Sequence, residues 1–192
     1  MTTNQPGHLT LTLHEWHRVG PDGLPLRHRT MQVIRALRPG LRSYTYRFDR
    51  REAEVQVVNG ARASEPYDDE TPGLTAVDLV FPRPLDVGET TSLEYVTVFR
   101  WRSVPPPQFR RAARTALERL DVRVVFDPAR LPAQVRWGLW SGYTSDAALR
   151  AAERVQLGTD HSVHRYVEQL QGHTVGFEWT WPPGEEPVAP AG

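Results

Sequence analysis

Apolar and polar residues alternate along much of the chain, as in β-strands that are buried on one face. Near the N-terminus, Leu9, Leu11 and Leu13 alternate with polar residues. The clearest strand pattern is residues 91–101 (TSLEYVTVFRW), where every second residue shares one face. Turn-forming glycine, proline and asparagine residues separate about nine or ten such segments at the spacing typical of sandwiches. The pattern therefore predicts an all-β fold: a single antiparallel, immunoglobulin-like β-sandwich with at most one or two short helices.

The domain organisation predicted from this pattern is simple. A chain of 192 residues favours one domain and can bury a core without disulfides or metal. We expect this domain to span residues 1–181. Residues 182–192 (PPGEEPVAPAG) are rich in proline and poor in apolar side chains, so we expect a disordered tail.

Residues 104–120 (VPPPQFRRAARTALERL) raise the main structural question, because several structures are compatible with this segment. The three prolines stop the preceding strand from continuing and remove backbone donors. The apolar residues of 109–120 match one face of a helix, but no glycine or asparagine stop precedes the next strand pattern. Residues 109–119 are compatible with a helix and with an extended arm. We interpret the segment as a crossing between two strands near the sandwich edge, with Arg110, Arg111 and Arg114 as a solvated rim.

Composition narrows the function classes. The 23 basic and 23 acidic residues balance, and a neutral chain is a poor candidate for binding nucleic acid. The chain has no cysteine, which excludes disulfide scaffolds and thiol catalysis. The N-terminus does not resemble a signal peptide, and no apolar run approaches the length of a membrane span. We therefore expect a cytoplasmic protein without a nucleic-acid or membrane partner.

Catalytic and metal motifs are weak. The strings HEWH (His14, His17) and HSVH (His161, His164) lie in predicted strands, where residues three apart point to opposite faces. Neither pair can then chelate one ion, and we interpret them as edge or surface histidines. A metal site formed by a mixed set of histidines, His17, His164 and His173, is still an alternative. No strained serine turn, phosphate loop or dinucleotide fingerprint occurs, so we predict no catalytic residue, no metal and no cofactor.

The aromatic residues give the candidate binding site. Such residues most often pack in the core, but concave surfaces lined by aromatic residues and a few arginines bind small ligands or peptides. The candidate ligand-binding residues are Trp101, Trp137, Trp140, Tyr143 and His164.

Five segments carry a family resemblance: HRTMQVIRALRPGLRSYTYRFD, AVDLVFPRPLDVGETTSLEYVTVF, PPPQFRRAAR, DVRVVFDPARLPAQVRW and HSVHRYVEQLQGHTVGFEWTW. Together they resemble the C-terminal domain of actinobacterial helix-turn-helix (XRE-type) regulators, over residues 9–181. The resemblance implies a sensing or interaction module. The first strand begins by residue 9, which leaves no room for a helix-turn-helix before it, so we expect a free-standing relative without DNA binding.

Three functions follow as hypotheses. The first is a non-enzymatic β-sandwich that binds a small molecule or a protein partner in a regulatory setting. The second is a small-molecule enzyme that uses histidines and acids in a sandwich or barrel cavity for general acid–base catalysis. The third, nucleic-acid binding through Arg110, Arg111 and Arg114, is opposed by the zero net charge.

Overall fold

The computed structural model describes residues 7–48, 53–142 and 147–187. The described residues form strands and no helix. The strands are β1 (His8–Val19), β2 (Pro25–Ala36), β3 (Leu41–Phe48), β4 (Ala53–Asn59), β5 (Arg62–Ala63), β6 (Tyr67–Asp68), β7 (Thr75–Leu85), β8 (Thr90–Phe99), β9 (Gln108–Ala113), β10 (Leu117–Phe126), β11 (Gln134–Trp140), β12 (Leu149–Val155), β13 (Ser162–Leu170) and β14 (His173–Thr180). The all-β prediction is confirmed.

The strands form three sheets. The large sheet has six strands in the order β13-β10-β1-β2-β8-β4, and a second sheet has the order β12-β11-β14-β9. The third sheet contains β3, β7 and β5, with β6 also paired to β7. Among the described strands, β1 and β10 run parallel and every other pair is antiparallel. The strand count exceeds the predicted nine or ten because β5, β6, β9 and β12 lie in segments that sequence reasoning left irregular.

The two smaller sheets pack side by side on one face of the large sheet. One hydrophobic cluster joins β1, β10 and β13 of the large sheet to β9, β11 and β14 through residues such as Leu120, Phe126 and Phe177. A second cluster joins β2, β4 and β8 to β3 and β7 through residues such as Leu79 and Tyr95. The result is a sandwich whose second layer is divided between two sheets, with one core beneath each.

Residues 109–119 are extended in the structure. Strand β9 lies at the edge of the second sheet and β10 pairs with β1 in the large sheet, so the chain crosses between the two layers here. The interpretation as a crossing near an edge is confirmed. The prediction of a solvated arginine rim is wrong for Arg111, whose side chain is only 14% exposed. It alternates with Arg110 along β9 and so points between the sheets.

The C-terminal segment is described up to residue 187. There, Arg130 Nη1 donates a hydrogen bond to the carbonyl oxygen of Glu185 at 2.9 Å. Residues 188–192 of the predicted tail lie outside the described residues. Within the described ranges, no helix is long and apolar enough to cross a membrane.

Candidate functional site

A polar band lies between the two hydrophobic clusters, in the middle of the large sheet. On β1 the alternation that turns Leu13 and Val19 inward also turns Glu15 and His17 inward. On β2 the inward residues include His28 and Gln32, and His28 is the direct neighbour of His17 across the two strands. Glu15, His17, His28 and Gln32 are each at most 4% exposed. Burial of polar groups is costly unless they are hydrogen-bonded, so each needs a partner.

Glu15 obtains its partners from Arg111 and His28. Arg111 Nε donates to Glu15 Oε2 at 2.9 Å, and Arg111 Nη2 donates to Glu15 Oε1. A forked contact of this kind is among the strongest hydrogen-bonding arrangements between a carboxylate and another side chain. His28 Nε2 lies 3.2 Å from Glu15 Oε1. Burial lowers the pKa of Arg111 to about 10, which leaves the guanidinium charged at neutral pH. The buried carboxylate therefore has a cation and an imidazole against it.

Gly176 lets β9 approach closely enough to place these groups. It pairs with Arg110 of β9, and a Cβ at position 176 would run into the backbone of Phe109 and Arg110. Because glycine has no Cβ, β9 pairs closely with β14 there. Phe109 and Arg111 then both project toward the large sheet, Phe109 against His17 and His28 and Arg111 onto Glu15.

His17 has no such partner. Neither of its ring nitrogens forms a hydrogen bond, although the residue is only 4% exposed. Its ring centroid lies 5.0 Å from that of Phe109 and 6.0 Å from that of Phe99. Burial, and secondarily the nearby His28, lower the pKa of His17 to about 3. The imidazole is therefore neutral at physiological pH and presents one unused donor and one unused acceptor.

A cavity of about 380 Å³ adjoins His17. It lies where the large sheet faces both smaller sheets, and its volume is in the range of small-molecule sites. Its wall includes polar and aromatic side chains from all three sheets: His17, His28, Gln32, Tyr44, Phe99, Trp101 and Phe109. Exposed residues Pro72, Gly73 and Arg114 also line it, so the cavity reaches the protein surface.

Trp101 lies on this wall, as one of the sequence-predicted ligand-binding residues. Its ring stacks on Phe99 with centroids 5.2 Å apart, and its Nε1 donates to the carbonyl oxygen of Pro25. These two contacts hold the Trp101 ring in place without a ligand.

The other predicted residues lie elsewhere. Trp137 packs in the core against Phe177, with ring centroids 4.8 Å apart. Trp140 is 1% exposed and lies under the guanidinium of Arg110, 4.4 Å from the ring centroid. Tyr143 lies outside the described residues. Of the predicted residues that the structure describes, Trp101 alone lines this cavity.

His164 lies on the outer face of the large sheet, with Asp121 and His14. The Oδ1 atom of Asp121 is 2.6 Å from His164 Nε2, and its Oδ2 atom is 3.2 Å from His14 Nδ1. His14 and His17 thus point to opposite faces, as strand geometry predicted. The interpretation as edge or surface histidines is wrong for His17. Among the described residues, no group of three histidines, cysteines or acids is placed to hold a metal ion.

The sequence contained an unused signal for this site. Glu15 and His17 alternate with the outward residues of β1, in register with the apolar Leu13 and Val19. A polar pair inside the apolar face of a strand is the pattern of a buried polar site. Arg111 had no comparable signal, because the sheet that β9 joins cannot be read from its own residues.

Comparison with known proteins shows the fold. No family model and no curated protein sequence matches the chain. The chain is similar to a solved structure from Parabacteroides distasonis described as a putative protease, with a TM-score of 0.58, 9% identity and 93% of this chain covered. It is also similar to an M1 zinc metallopeptidase from Deinococcus radiodurans, with a TM-score of 0.44, 14% identity and 91% of this chain covered. The chain spans only 41% and 43% of those two chains.

The two buried histidines make stability depend on pH. A histidine in the unfolded chain has a pKa near 6.5, whereas burial lowers the pKa of His28 to about 4 and of His17 to about 3. Their contribution is fully present above pH 6.5 and is lost as the pH falls toward 4, because the unfolded chain binds protons first. We expect the free energy of unfolding to decrease by up to about 1.4 kcal/mol per pH unit per histidine. Denaturant unfolding across this interval measures the slope.

The control for this prediction is His17→Leu. This variant keeps His28, with Glu15 and Arg111 around it, and removes one of the two titrating imidazoles. Its slope is expected to be about half that of the wild type. An unchanged slope would show that His17 does not titrate as a buried group.

Proposed function

We propose that this chain is a non-enzymatic binding domain that holds a small molecule in the cavity beside His17. The observation that carries the proposal is the buried imidazole with both nitrogens unbonded on the wall of a 380 Å³ cavity. Buried polar groups without a partner are rare in native proteins, and a bound molecule is a direct way to supply the missing hydrogen bonds. The resemblance to the sensing domains of XRE-type regulators agrees with a ligand-responsive role.

An enzyme using this cavity is the second candidate. It is favoured by the convergence of two ionisable groups, since the rings of His17 and His28 have centroids 5.8 Å apart on the cavity wall. The description of the Parabacteroides distasonis structure as a putative protease also favours an enzyme-related role. However, a general base works best with a pKa near the working pH. The pKa values of about 3 and 4 make both imidazoles weak bases at neutral pH, so we rank binding first.

The proposal is tested by screening a metabolite and fragment panel for stabilisation of the folded protein. A ligand held at 100 times its dissociation constant adds about 2.7 kcal/mol to the free energy of unfolding. For a chain of this size, that corresponds to roughly 5–10 °C in the melting temperature. Hits are then titrated by calorimetry against the wild type and two variants.

The two variants are matched histidine replacements. His17→Leu removes the imidazole on the cavity wall, whereas His164→Leu removes one on the outer face of the same sheet. We expect the first to abolish binding of the hits and the second to leave it unchanged. Hits that survive His17→Leu, or a panel with no hit at all, would contradict the proposal.

The same His17→Leu variant is expected to be more stable than the wild type when no ligand is present. Leucine is close to histidine in volume and removes two polar atoms that the wild type buries without hydrogen bonds. An unsatisfied buried polar group costs about 1–3 kcal/mol, so the free energy of unfolding should rise by an amount in that range. Urea unfolding measures it. A loss of stability would indicate that His17 already has a polar partner in the folded protein.

A further inference from the structure

We propose that the cavity takes an uncharged aromatic molecule that carries a carboxamide or an equivalent adjacent donor and acceptor. The proposal rests on the proposed small-molecule function, and it goes further by naming the ligand's chemistry. Three properties of the wall define that chemistry: its charged side chains already have protein partners, its unbonded polar groups are the neutral imidazole of His17 and the neutral amide of Gln32, and much of its remaining surface is aromatic.

Each charged side chain of the wall has a protein partner; these side chains are Arg47, Arg110, Arg111 and Arg114. Arg111 is held by the carboxylate of Glu15 in a forked contact. Arg47 Nε lies 2.7 Å from Asp69 Oδ2. A carboxylate ligand near Arg111 would meet the charge of Glu15 directly behind it, and a cationic ligand would meet the guanidinium of Arg111. Since desolvation of an ion is costly without a dedicated opposite charge, a neutral ligand is favoured over either ion.

His17 defines the polar group of the ligand. A neutral imidazole has one N–H donor and one lone-pair acceptor, and neither is used in this structure. A ligand that offers both an acceptor and a donor can satisfy the nitrogen that faces it in either tautomer. A primary carboxamide has this property, because its oxygen accepts and its NH₂ group donates. A carboxylate only accepts, and an amidinium only donates.

Aromatic side chains define the body of the ligand. Phe109 lies against both histidines, with ring centroids 5.0 Å from His17 and 5.1 Å from His28. Phe99 and Trp101 form a stacked pair on the same wall, with an interplanar angle of 22°. A flat ring can stack on such surfaces or meet their edges, and both arrangements are favourable. The volume of about 380 Å³ exceeds the roughly 150 Å³ cavity that holds benzene, so a ring with a polar substituent has room.

The test compares three probes of the same shape and different charge: benzamide, benzoate and benzamidinium. Each is titrated at neutral pH into the full chain, and the ring resonances of His17 are followed by NMR. We expect benzamide to shift the His17 resonances to saturation, with a dissociation constant at least about tenfold lower than those of the two ions. In His17→Leu the benzamide-dependent shifts of the remaining cavity residues should disappear, and in His164→Leu they should persist.

The outcomes separate this inference from the function on which it rests. Benzoate or benzamidinium binding at His17 as tightly as benzamide would overturn the neutral-ligand inference and leave small-molecule binding standing. Binding of none of the three, alongside a charged hit from the metabolite panel at this cavity, would do the same. If none of the three probes and no molecule of the panel binds, both the ligand inference and the proposed small-molecule function are overturned. Benzamide shifts that persist unchanged in His17→Leu would overturn the assignment of the polar contact.

Discussion

Replacing Arg111 by methionine is expected to lower the free energy of unfolding by about 3–5 kcal/mol, because it leaves a buried carboxylate without its cation. Glu15 is 1% exposed and accepts two hydrogen bonds from the Arg111 guanidinium. In Arg111→Met the imidazole of His28 still lies against Glu15, but His28 is neutral near physiological pH and does not replace the cation. The glutamate must then be protonated or drawn toward water, and both cost free energy. Guanidinium chloride unfolding of the variant and the wild type measures the difference.

Two further variants make the result specific. Arg83→Met removes an exposed ion pair, in which Arg83 Nη2 lies 2.8 Å from Glu89 Oε1, and should cost less than about 1 kcal/mol. The double variant Glu15→Leu/Arg111→Met removes both buried charges and should recover most of the loss of the single variant. If Arg111→Met were no more destabilising than Arg83→Met, Glu15 and Arg111 would be solvated. That result would contradict the burial of the polar band.

Phe109→Ala is expected to have a second large effect, on stability and on the histidines together. Phe109 is 7% exposed, and truncation of a buried phenylalanine costs about 3–5 kcal/mol. The missing ring also enlarges the cavity beside His17 and His28 and lets water reach both imidazoles. Since burial is the main cause of their lowered pKa values, both values should move up toward 6.5. Unfolding by denaturant and NMR titration of the histidine rings provide the two measurements.

Phe81→Ala is the matched control for this change. Phe81 is 6% exposed, lies on β7 in the second hydrophobic cluster, and is not among the residues that line the cavity. Its truncation should cost a similar free energy of unfolding and leave the pKa values of His17 and His28 unchanged. Equal shifts of the histidine pKa values in both variants would mean that general loosening, rather than the opened cavity, controls them.

The strands themselves were predictable from the sequence where one face is apolar and the other polar. β8 is of this kind, and alternate residues of its predicted shared face, such as Leu93 and Tyr95, are buried. The arrangement of strands into three sheets was not predictable in the same way. β9 follows a run of prolines and is only six residues long, and its place beside β14 depends on close pairing at Gly176. Such pairing is a tertiary property that no local pattern encodes.

The candidate site, too, was predictable from the sequence only in part. Trp101 was predicted as a ligand-binding residue and does line the cavity, because it lies two residues beyond the last residue of β8, Phe99, and its ring stacks on that of Phe99. His17 was predicted to lie at an edge or surface, because strand geometry turns it away from His14 and leaves no pair that could chelate an ion. Its burial follows from the central place of β1 between β10 and β2, which only the pairing of the strands reveals. The partners of Glu15 come from β2 and β9, far from it in sequence.

A crystal structure of the protein soaked with benzamide would show whether the cavity beside His17 holds a neutral aromatic ligand. We expect density for the probe in the cavity, with its amide within hydrogen-bond distance of a ring nitrogen of His17 and its ring against Phe109 or the stacked pair of Phe99 and Trp101. The contradicting result is a cavity closed by these aromatic side chains, with His17 hydrogen-bonded to a protein group and no space beside it.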